Sequence, residues 1–147
     1  MKIKTSELIG PALDWAVAEI EHAQVVLDGD GDSVLCEYGG TAYNPSEDWT
    51  IAGPIIYAQS ISTFRLDDQI VVDAAGFDTG KRRPVWGASL ERHYSGPEFN
   101  SYGEAVGRVY TVDHSDVVVG PTQLIAAMRA YVASRLGDEV EIPEELT

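Results

Sequence analysis

The stretch QLIAAMRAYVASRL at residues 123–136 decides the fold class, because it is the clearest helix pattern in the chain. It follows Gly120-Pro121-Thr122 and stops before Gly137, which are typical start and stop signals of a helix. One apolar stripe runs along it at helical spacing, formed by Leu124, Ile125, Met128, Tyr131, Val132 and Leu136. The far side is small instead of charged, with Ala126, Ala127, Ala130, Ala133 and Ser134. Small residues let another element approach closely, so we expect this helix to be covered on both sides.

A second helix is predicted from Gly10-Pro11 to about Glu21, since proline suits the first helical position. Its apolar face has helical spacing, and Trp15 lies on the opposite side. We therefore expect both terminal helices to pack on a sheet with one face and to contact each other, or a second subunit, with the other. A homo-oligomer formed through Trp15 and the Ala-rich face of the last helix is favoured over a monomer.

The remaining patterns predict strands and loops. Residues 23–28 and 33–38 flank the turn Gly29-Asp30-Gly31 and are typical of a β-hairpin. Residues 55–66, 69–77, 107–112 and 117–119 read as strands, and residues 85–94 as a strand or a short helix. Residues 39–54, rich in turn formers, predict a long loop or two short turns, and residues 95–105 predict another loop.

Together these patterns predict an α+β fold, in which a mainly antiparallel sheet is packed by an N-terminal and a C-terminal amphipathic helix. A chain of 147 residues is about one domain's worth, so we expect a single domain over residues 1–147. Residues 138–147 are expected to be an acidic tail on its surface.

Composition restricts the partners. The chain has 24 acidic against 10 Lys and Arg residues, and this formal charge of −14 repels phosphate and anionic lipid. We expect no duplex nucleic acid and no membrane partner, since no stretch approaches the roughly 18 apolar residues of a membrane span. Cys36 is the only cysteine, which excludes an intramolecular disulfide and favours a reducing compartment. No secretory signal is evident, so a cytoplasmic location is expected.

Two glycine-rich motifs resemble known binding loops and depart from them in detail. DGDGDS at residues 28–33 has alternating carboxylates like a calcium loop, but it has Ser33 and Gly39 where that loop needs glycine and glutamate. GFDTGKRR at residues 76–83 has the wrong glycine spacing for a nucleotide-triphosphate loop, and Arg82 follows the lysine. A solvated turn is favoured for the first motif, and an NTPase is not expected from the second.

Three groups of residues are candidates for a ligand site. The basic triplet Lys81, Arg82 and Arg83 precedes Trp86, so it can clamp a phosphate while the indole stacks on a base; a solvated basic turn is the alternative. The loop YNPSEDW offers aromatic and hydrogen-bonding groups, or is a turn pinned by a buried tryptophan. Arg129 reaches an anion or makes a structural salt bridge. The predicted ligand-binding residues are Tyr43, Asn44, Asp48, Trp49, Lys81, Arg82, Arg83, Trp86 and Arg129.

No catalytic or metal-binding set is predicted. His22, His93 and His114 are scattered without the spacing of metal ligands, and Cys36 has the pattern of a packed thiol. We expect no metal and no cofactor, and an enzyme is less expected than a binding protein.

Three segments carry a family resemblance: TSELIGPALDWAVA at residues 5–18, YNPSEDW with the following AGPII, and GPTQLIAAMRAYVASRLGDEVEIPEEL at residues 120–146. They resemble a family of small bacteriophage and prophage proteins of unknown function. The resemblance implies a phage accessory protein in the host cytoplasm and supplies no catalytic residues. Small phage proteins of this kind often resemble counter-defence factors, which sequester a host nucleotide signal or block a host protein.

The leading hypothesis is therefore an oligomeric phage protein that holds a small anionic, nucleotide-like ligand without turnover. The first alternative is an acidic decoy that binds a host protein through its surface charge. The second is a nucleotide hydrolase or lyase that uses carboxylates such as Asp48, Asp73 or Asp78, although nothing in their spacing selects a pair.

Overall fold

The computed structural model describes residues 1–90, 93–111 and 117–147. Its α-helices are α1 (Gly10–Glu21), α2 (Trp49–Ala58) and α3 (Gln123–Leu136), and short 3-10 turns span Thr5–Glu7 and Glu144–Leu146. Its strands are β1 (Lys2–Lys4), β2 (Val25–Leu27), β3 (Val34–Cys36), β4 (Ser62–Arg65), β5 (Gln69–Val72), β6 (Asp78–Arg83), β7 (Trp86–Ser89), β8 (His93–Phe99), β9 (Ala105–Thr111), β10 (Val118–Gly120) and β11 (Glu139–Glu141).

Every strand pairing in these ranges is antiparallel. Strands β10, β7 and β4 form a three-stranded sheet in that order, with β7 in the middle. The pairs β1–β11, β2–β3, β5–β6 and β8–β9 are two-stranded. The predicted α+β class with antiparallel pairing is confirmed, but the sheet is divided into five small parts.

Helix α3 lies at the centre of the core. Every residue from Leu124 to Val132 is buried, and the helix packs against α1, β7 and β10. The expected covering of both sides is confirmed, because Ala126, Ala127 and Ala130 are at most 3% exposed within the single chain. Most of the Ala-rich face is thus already occupied by the chain's own elements, although Ala133 is half-buried and Ser134 is exposed. Trp15 is half-buried against the same core. The homo-oligomer itself stays a prediction.

Close approach between α3 and β10 depends on Gly120. A Cβ atom added there would lie 2.6 Å from the backbone nitrogen of Ala126 and 3.0 Å from its Cα atom. Backbone atoms of a buried helix cannot move aside cheaply, so this position admits no side chain. Thr122 then caps the helix, its hydroxyl accepting from the Ile125 N–H at 3.1 Å.

The loop predicted for residues 39–54 and the strand predicted from residue 55 are corrected by α2. Asp48 caps this helix by accepting from the Thr50 N–H at 2.8 Å. Ala52 and Ile55 are then buried one helical turn apart on the same face. The cap and this burial override the strand preference of the β-branched residues and the presence of Pro54, which lies inside the helix. Of the strand predicted for residues 55–66, only Ser62–Arg65 is a strand, which is β4.

Two further expectations are corrected. Residues 95–99 belong to β8 and not to a loop, although they include Pro97. In the described residues β8 pairs only with β9, and the register between these two strands shifts on either side of Pro97. Such an edge strand tolerates the missing N–H of a proline. The acidic tail is not wholly superficial, because β11 pairs with β1 and both Val140 and Ile142 are buried. The hairpin β2–β3 and helices α1 and α3 are confirmed.

In the part of the chain that is described, no helix is both long enough and apolar enough to cross a membrane.

We predict that Gly120→Ala lowers the free energy of unfolding by about 1–3 kcal/mol, because the new methyl group meets the backbone of α3. The measurement is urea unfolding of both proteins. Gly29→Ala is the matched control, since a Cβ atom there meets nothing within 4 Å, and its effect should stay within about 0.5 kcal/mol. Equal effects of the two substitutions would show that β10 and α3 are not in tight contact.

Candidate functional site

Two neighbouring cavities open where the three-stranded sheet meets the start of α3. The larger, here called the aromatic cavity, has a volume of about 560 Å³ and contains Trp49, Trp86 and Arg65. The smaller, here called the arginine cavity, has a volume of about 350 Å³ and contains Arg83 and Arg129. Both are lined by Pro84 and Pro121, so these two prolines lie between them.

Trp49 reaches the aromatic cavity from the first position of α2. The Asp48 carboxylate fixes this end of the helix, because it accepts from both the N–H and the hydroxyl of Thr50, at 2.8 and 2.7 Å. These hydrogen bonds lower the pKa of Asp48. Trp49 is 52% exposed, so part of its surface is open to a ligand.

Trp86 and Arg65 are direct cross-strand partners in β7 and β4. The Arg65 guanidinium lies over the Trp86 ring at 5.5 Å from its centroid, a cation–π contact. Arg65 also forms an ion pair with Asp68. Sequence reasoning missed Arg65, because its importance comes from strand register that no local pattern reveals.

The first turn of α3 lines the aromatic cavity through residues 122–125. The positive end of the helix dipole therefore faces this space, which favours a negative charge there. The side-chain amide of Gln123 donates to the Thr63 hydroxyl at 2.6 Å and fastens the start of the helix to β4.

Arg129 is the most deeply buried cation of the described residues, with only 9% of its surface exposed. Its Nε–H donates to the Leu8 carbonyl at 2.7 Å, and Nη1 donates to the Val119 carbonyl at 3.0 Å. Burial lowers its pKa. The salt bridge considered for it does not occur with any carboxylate in residues 1–90, 93–111 and 117–147. Its charge at the arginine cavity is thus offset only by carbonyl dipoles in this part of the chain.

The basic triplet does not act as one clamp. Residues 78–83 form strand β6 instead of a loop, so neighbouring side chains point to opposite faces. Arg83 lines the arginine cavity together with Gln69, its cross-strand partner. Arg82 instead forms a bidentate pair with Asp78, with N–O distances of 2.9 and 3.1 Å, and this pair lowers the pKa of Asp78. Lys81 is exposed and lines neither cavity.

The YNPSEDW loop is also divided. Tyr43 and Asn44 do not line the aromatic cavity but a third cavity of about 270 Å³, together with Asp14; Glu47 lines both of these cavities. Asp14 anchors the loop, because its carboxylate accepts from the Ser46 N–H at 2.7 Å and from the Ser46 hydroxyl at 3.1 Å. Asp14 is 3% exposed, and this burial raises its pKa to about 6. The structure therefore brings together only four of the predicted site residues: Trp49, Trp86, Arg83 and Arg129.

The other candidate carboxylates are held in local structure. Asp28 closes its turn by accepting from the Asp32 and Ser33 N–H groups, as the solvated-turn interpretation requires. Asp73 likewise accepts from the Ala75 and Phe77 N–H groups. In the described residues, no group of three His, Cys, Asp or Glu side chains is arranged to hold a metal ion. His114 lies outside the described residues, and the side chain of His93 is not described either.

Comparison with known proteins gives one family. The family model described as "Bacteriophage P22, NinX" matches residues 4–79, just over half of the chain. The match spans α1, α2 and β5 and so includes Trp49, Arg65 and Gln69, whereas Arg83, Trp86 and Arg129 lie beyond it. No curated protein matches the chain.

We predict that acidification stabilises the protein through Asp14. The folded state raises the pKa of this carboxyl from about 3.8 to about 6, so it binds a proton that the unfolded chain releases. The contribution is full below about pH 4 and is lost as the pH rises through about 6. Between about pH 7.5 and pH 4, the free energy of unfolding should rise by up to about 3 kcal/mol more in the wild type than in Asp14→Asn.

Urea titrations at both pH values test this prediction. Asp48→Asn is the control, because the lowered pKa of Asp48 loses its contribution only below about pH 4. The difference in free energy of unfolding between the wild type and Asp48→Asn should therefore be the same at about pH 7.5 and at about pH 4. If the difference in free energy of unfolding between the wild type and Asp14→Asn were also independent of pH, the Asp14 carboxylate would not be desolvated.

Proposed function

The chain belongs to the bacteriophage P22 NinX family, and from that premise we propose that this phage protein binds a small anionic, nucleotide-like ligand without turning it over. One observation carries the proposal: a cavity with two indoles adjoins a cavity with two guanidinium groups, across a shared wall of two prolines. A nucleotide has the same two parts, a flat base and a negatively charged phosphate.

The base would bind in the aromatic cavity. Trp49 offers an exposed ring, and Trp86 is held in place by Arg65 on its face. Stacking of a base on an aromatic side chain contributes about 1–3 kcal/mol and tolerates any base. Stacking on these rings would give affinity for nucleotides in general, and hydrogen bonds would be needed to distinguish one base from another.

The phosphate would bind in the arginine cavity. Arg83 reaches it from β6 and Arg129 from the core, and guanidinium groups bind phosphate oxygens through two parallel N–H donors. The chain otherwise repels anions, with a formal charge of −14. In a chain with this net charge, a phosphate would bind only where basic side chains are concentrated, and the arginine cavity has two of them.

Binding without turnover is favoured over hydrolysis by the state of the three candidate carboxylates and by the lining of the two cavities, in which Glu47 is the single carboxylate among the described residues. Asp48 caps α2, Asp73 closes a turn, and Asp78 is paired with Arg82, so each of the three candidates already has a structural partner. None of them lines the aromatic or the arginine cavity. In the host, such a protein would serve by sequestering a nucleotide signal, a counter-defence role consistent with its phage family.

The first prediction of this proposal concerns thermal stability. The purified protein is heated with nucleoside monophosphates, cyclic dinucleotides, ADP-ribose or divalent metal salts, each tested separately. A ligand at a hundred times its Kd adds about 2.7 kcal/mol, which raises the Tm by roughly 5–10 °C for a chain of this size. The bound compound should then be recovered unchanged by mass spectrometry. A recovered product would contradict binding without turnover, and no shift with any compound would favour the acidic decoy.

The second prediction concerns the two cavities and uses the compound that gives the largest shift. Trp49→Ala should weaken its binding by about tenfold or more through lost stacking, and Arg83→Gln by a similar factor through a lost charge-assisted hydrogen bond. Isothermal titration calorimetry measures both. Trp86 and Arg129 are less suitable for substitution, because they also hold the fold.

The chain supplies a matched control for each variant. Tyr57→Ala removes another exposed aromatic side chain of α2 that lines neither cavity. Arg82→Gln removes the neighbouring cation of β6, which is paired with Asp78. Both controls should bind like the wild type. Loss of affinity in the controls but not in Trp49→Ala and Arg83→Gln would show that the ligand binds elsewhere.

A further inference from the structure

Glu47 places an unpaired carboxylate at a site that is proposed to bind an anion. It lines the aromatic cavity and is the single carboxylate that lines this cavity or the arginine cavity among the described residues. In residues 1–90, 93–111 and 117–147 its side chain forms neither an ion pair nor a hydrogen bond. A negative charge here weakens the attraction for a phosphate, so it favours binding only if the ligand brings hydrogen-bond donors to it.

The backbone of Glu47 is fixed on both sides. Ser46, before it, donates from its N–H and its hydroxyl to the buried Asp14 carboxylate, at 2.7 and 3.1 Å. Asp48, after it, caps α2. The N–H of Glu47 itself donates to the Asn44 carbonyl at 3.0 Å. Only the side-chain torsions of Glu47 remain to be ordered by a ligand, which keeps the entropic cost of binding small.

The same segment places Glu47 beside the exposed indole of Trp49. The two residues are two positions apart, so their Cα atoms lie within about 7 Å of each other. Both line the aromatic cavity. A base that stacks on the indole can therefore bring its hydrogen-bonding edge to the Glu47 carboxylate.

The chemistry of a carboxylate selects among the bases. An ionised carboxylate has two acceptor oxygens and no donor. Guanine has an N1–H and a 2-amino group side by side on its Watson–Crick edge, so it can donate two parallel hydrogen bonds to one carboxylate. Adenine and cytosine each place an acceptor nitrogen beside their amino group, and that nitrogen repels a carboxylate. Uracil has a single N–H between two carbonyl groups. Guanine is therefore the base whose edge complements Glu47.

We propose that the aromatic cavity selects guanine, and that Glu47 is the specificity-determining residue, accepting from the N1–H and the 2-amino group of a guanine nucleotide. This inference rests on the proposed function, to which it adds the identity of the base. Glu47 is exposed, so water competes for its oxygens and the preference is smaller than in a closed pocket.

The first test compares three nucleotides by isothermal titration calorimetry with the full chain. The 5′-monophosphates of guanosine, inosine and adenosine carry the same phosphate, so a difference in their affinities comes from the base. The guanosine compound should bind about tenfold or more tightly than the adenosine compound. The inosine compound lacks only the 2-amino group, and its affinity should lie between the two.

The substitution Glu47→Gln should reverse this preference. The glutamine amide has one acceptor and one donor, which fit the amino group and N1 of adenine, whereas the new donor meets an N–H of guanine. Affinity for guanosine monophosphate should fall about tenfold or more, while that for adenosine monophosphate stays the same or rises. A structural role of Glu47 would weaken both, and mere loss of its charge would strengthen both.

Glu37→Gln is the matched control. It removes the same charge from an exposed glutamate that lines neither cavity. Both affinities should stay at their wild-type values. A change of base preference in Glu37→Gln equal to that in Glu47→Gln would overturn the assignment, because the preference would then follow from net charge.

Two further results would overturn the proposal, and they differ in what they leave standing. If the wild type binds the guanosine and adenosine compounds equally, or if Glu47→Gln changes both affinities by the same factor, Glu47 does not read the base, and the proposed nucleotide binding stands. If none of the three compounds binds and no compound in the thermal screen shifts the Tm, the proposed function itself fails, and the base preference fails with it.

Discussion

The burial of α3 from Leu124 to Val132 is the constraint on which the rest of the structure depends. Along this stretch neither the apolar face nor the small-residue face of the helix meets solvent, so the chain must wrap around it. The sheet covers one side through β7 and β10, and α1 covers another. The core joins these elements with the end of the chain, since Val140 and Ile142 are buried in the same cluster. This is why the acidic tail cannot lie wholly on the surface.

Arg129 shows the consequence for a charged residue in such a helix. Its position on α3 leaves it 9% exposed, so its hydrogen bonds must come from the surrounding protein. It finds the carbonyls of Leu8 and Val119, one just before α1 and the other in β10. The guanidinium thereby links two segments that are more than 100 positions apart in sequence. Gly120, next to Val119, permits the close contact of β10 with α3 that this geometry requires.

Much of the fold followed from local patterns, and the errors have a common cause. Periodicity identified α1 and α3, and turn residues identified the β2–β3 hairpin, because these signals arise within one element. The sequence also contained the capping residue of α2, Asp48, but the β-branched residues after it outweighed that single signal. Sequence reasoning could name Trp49, Trp86, Arg83 and Arg129 as site residues by their chemistry. It could not separate them from Tyr43, Lys81 and Arg82, since strand register and burial decide which side chains share a cavity.

Under the proposed function, the electrostatics of the site would tie ligand binding to stability. A buried guanidinium costs free energy unless an opposite charge or enough dipoles compensate it, and the lowered pKa of Arg129 reflects that cost. Carbonyl oxygens supply part of the compensation, because they are dipoles and not full charges. Under the proposed function, a bound phosphate would supply the rest, in a cavity that Arg83 also lines. Both guanidinium groups would then gain an opposite charge in the complex. Under the proposed function, a chain of formal charge −14 would hold an anion only at such a local group of arginines, because the rest of its charge repels anions.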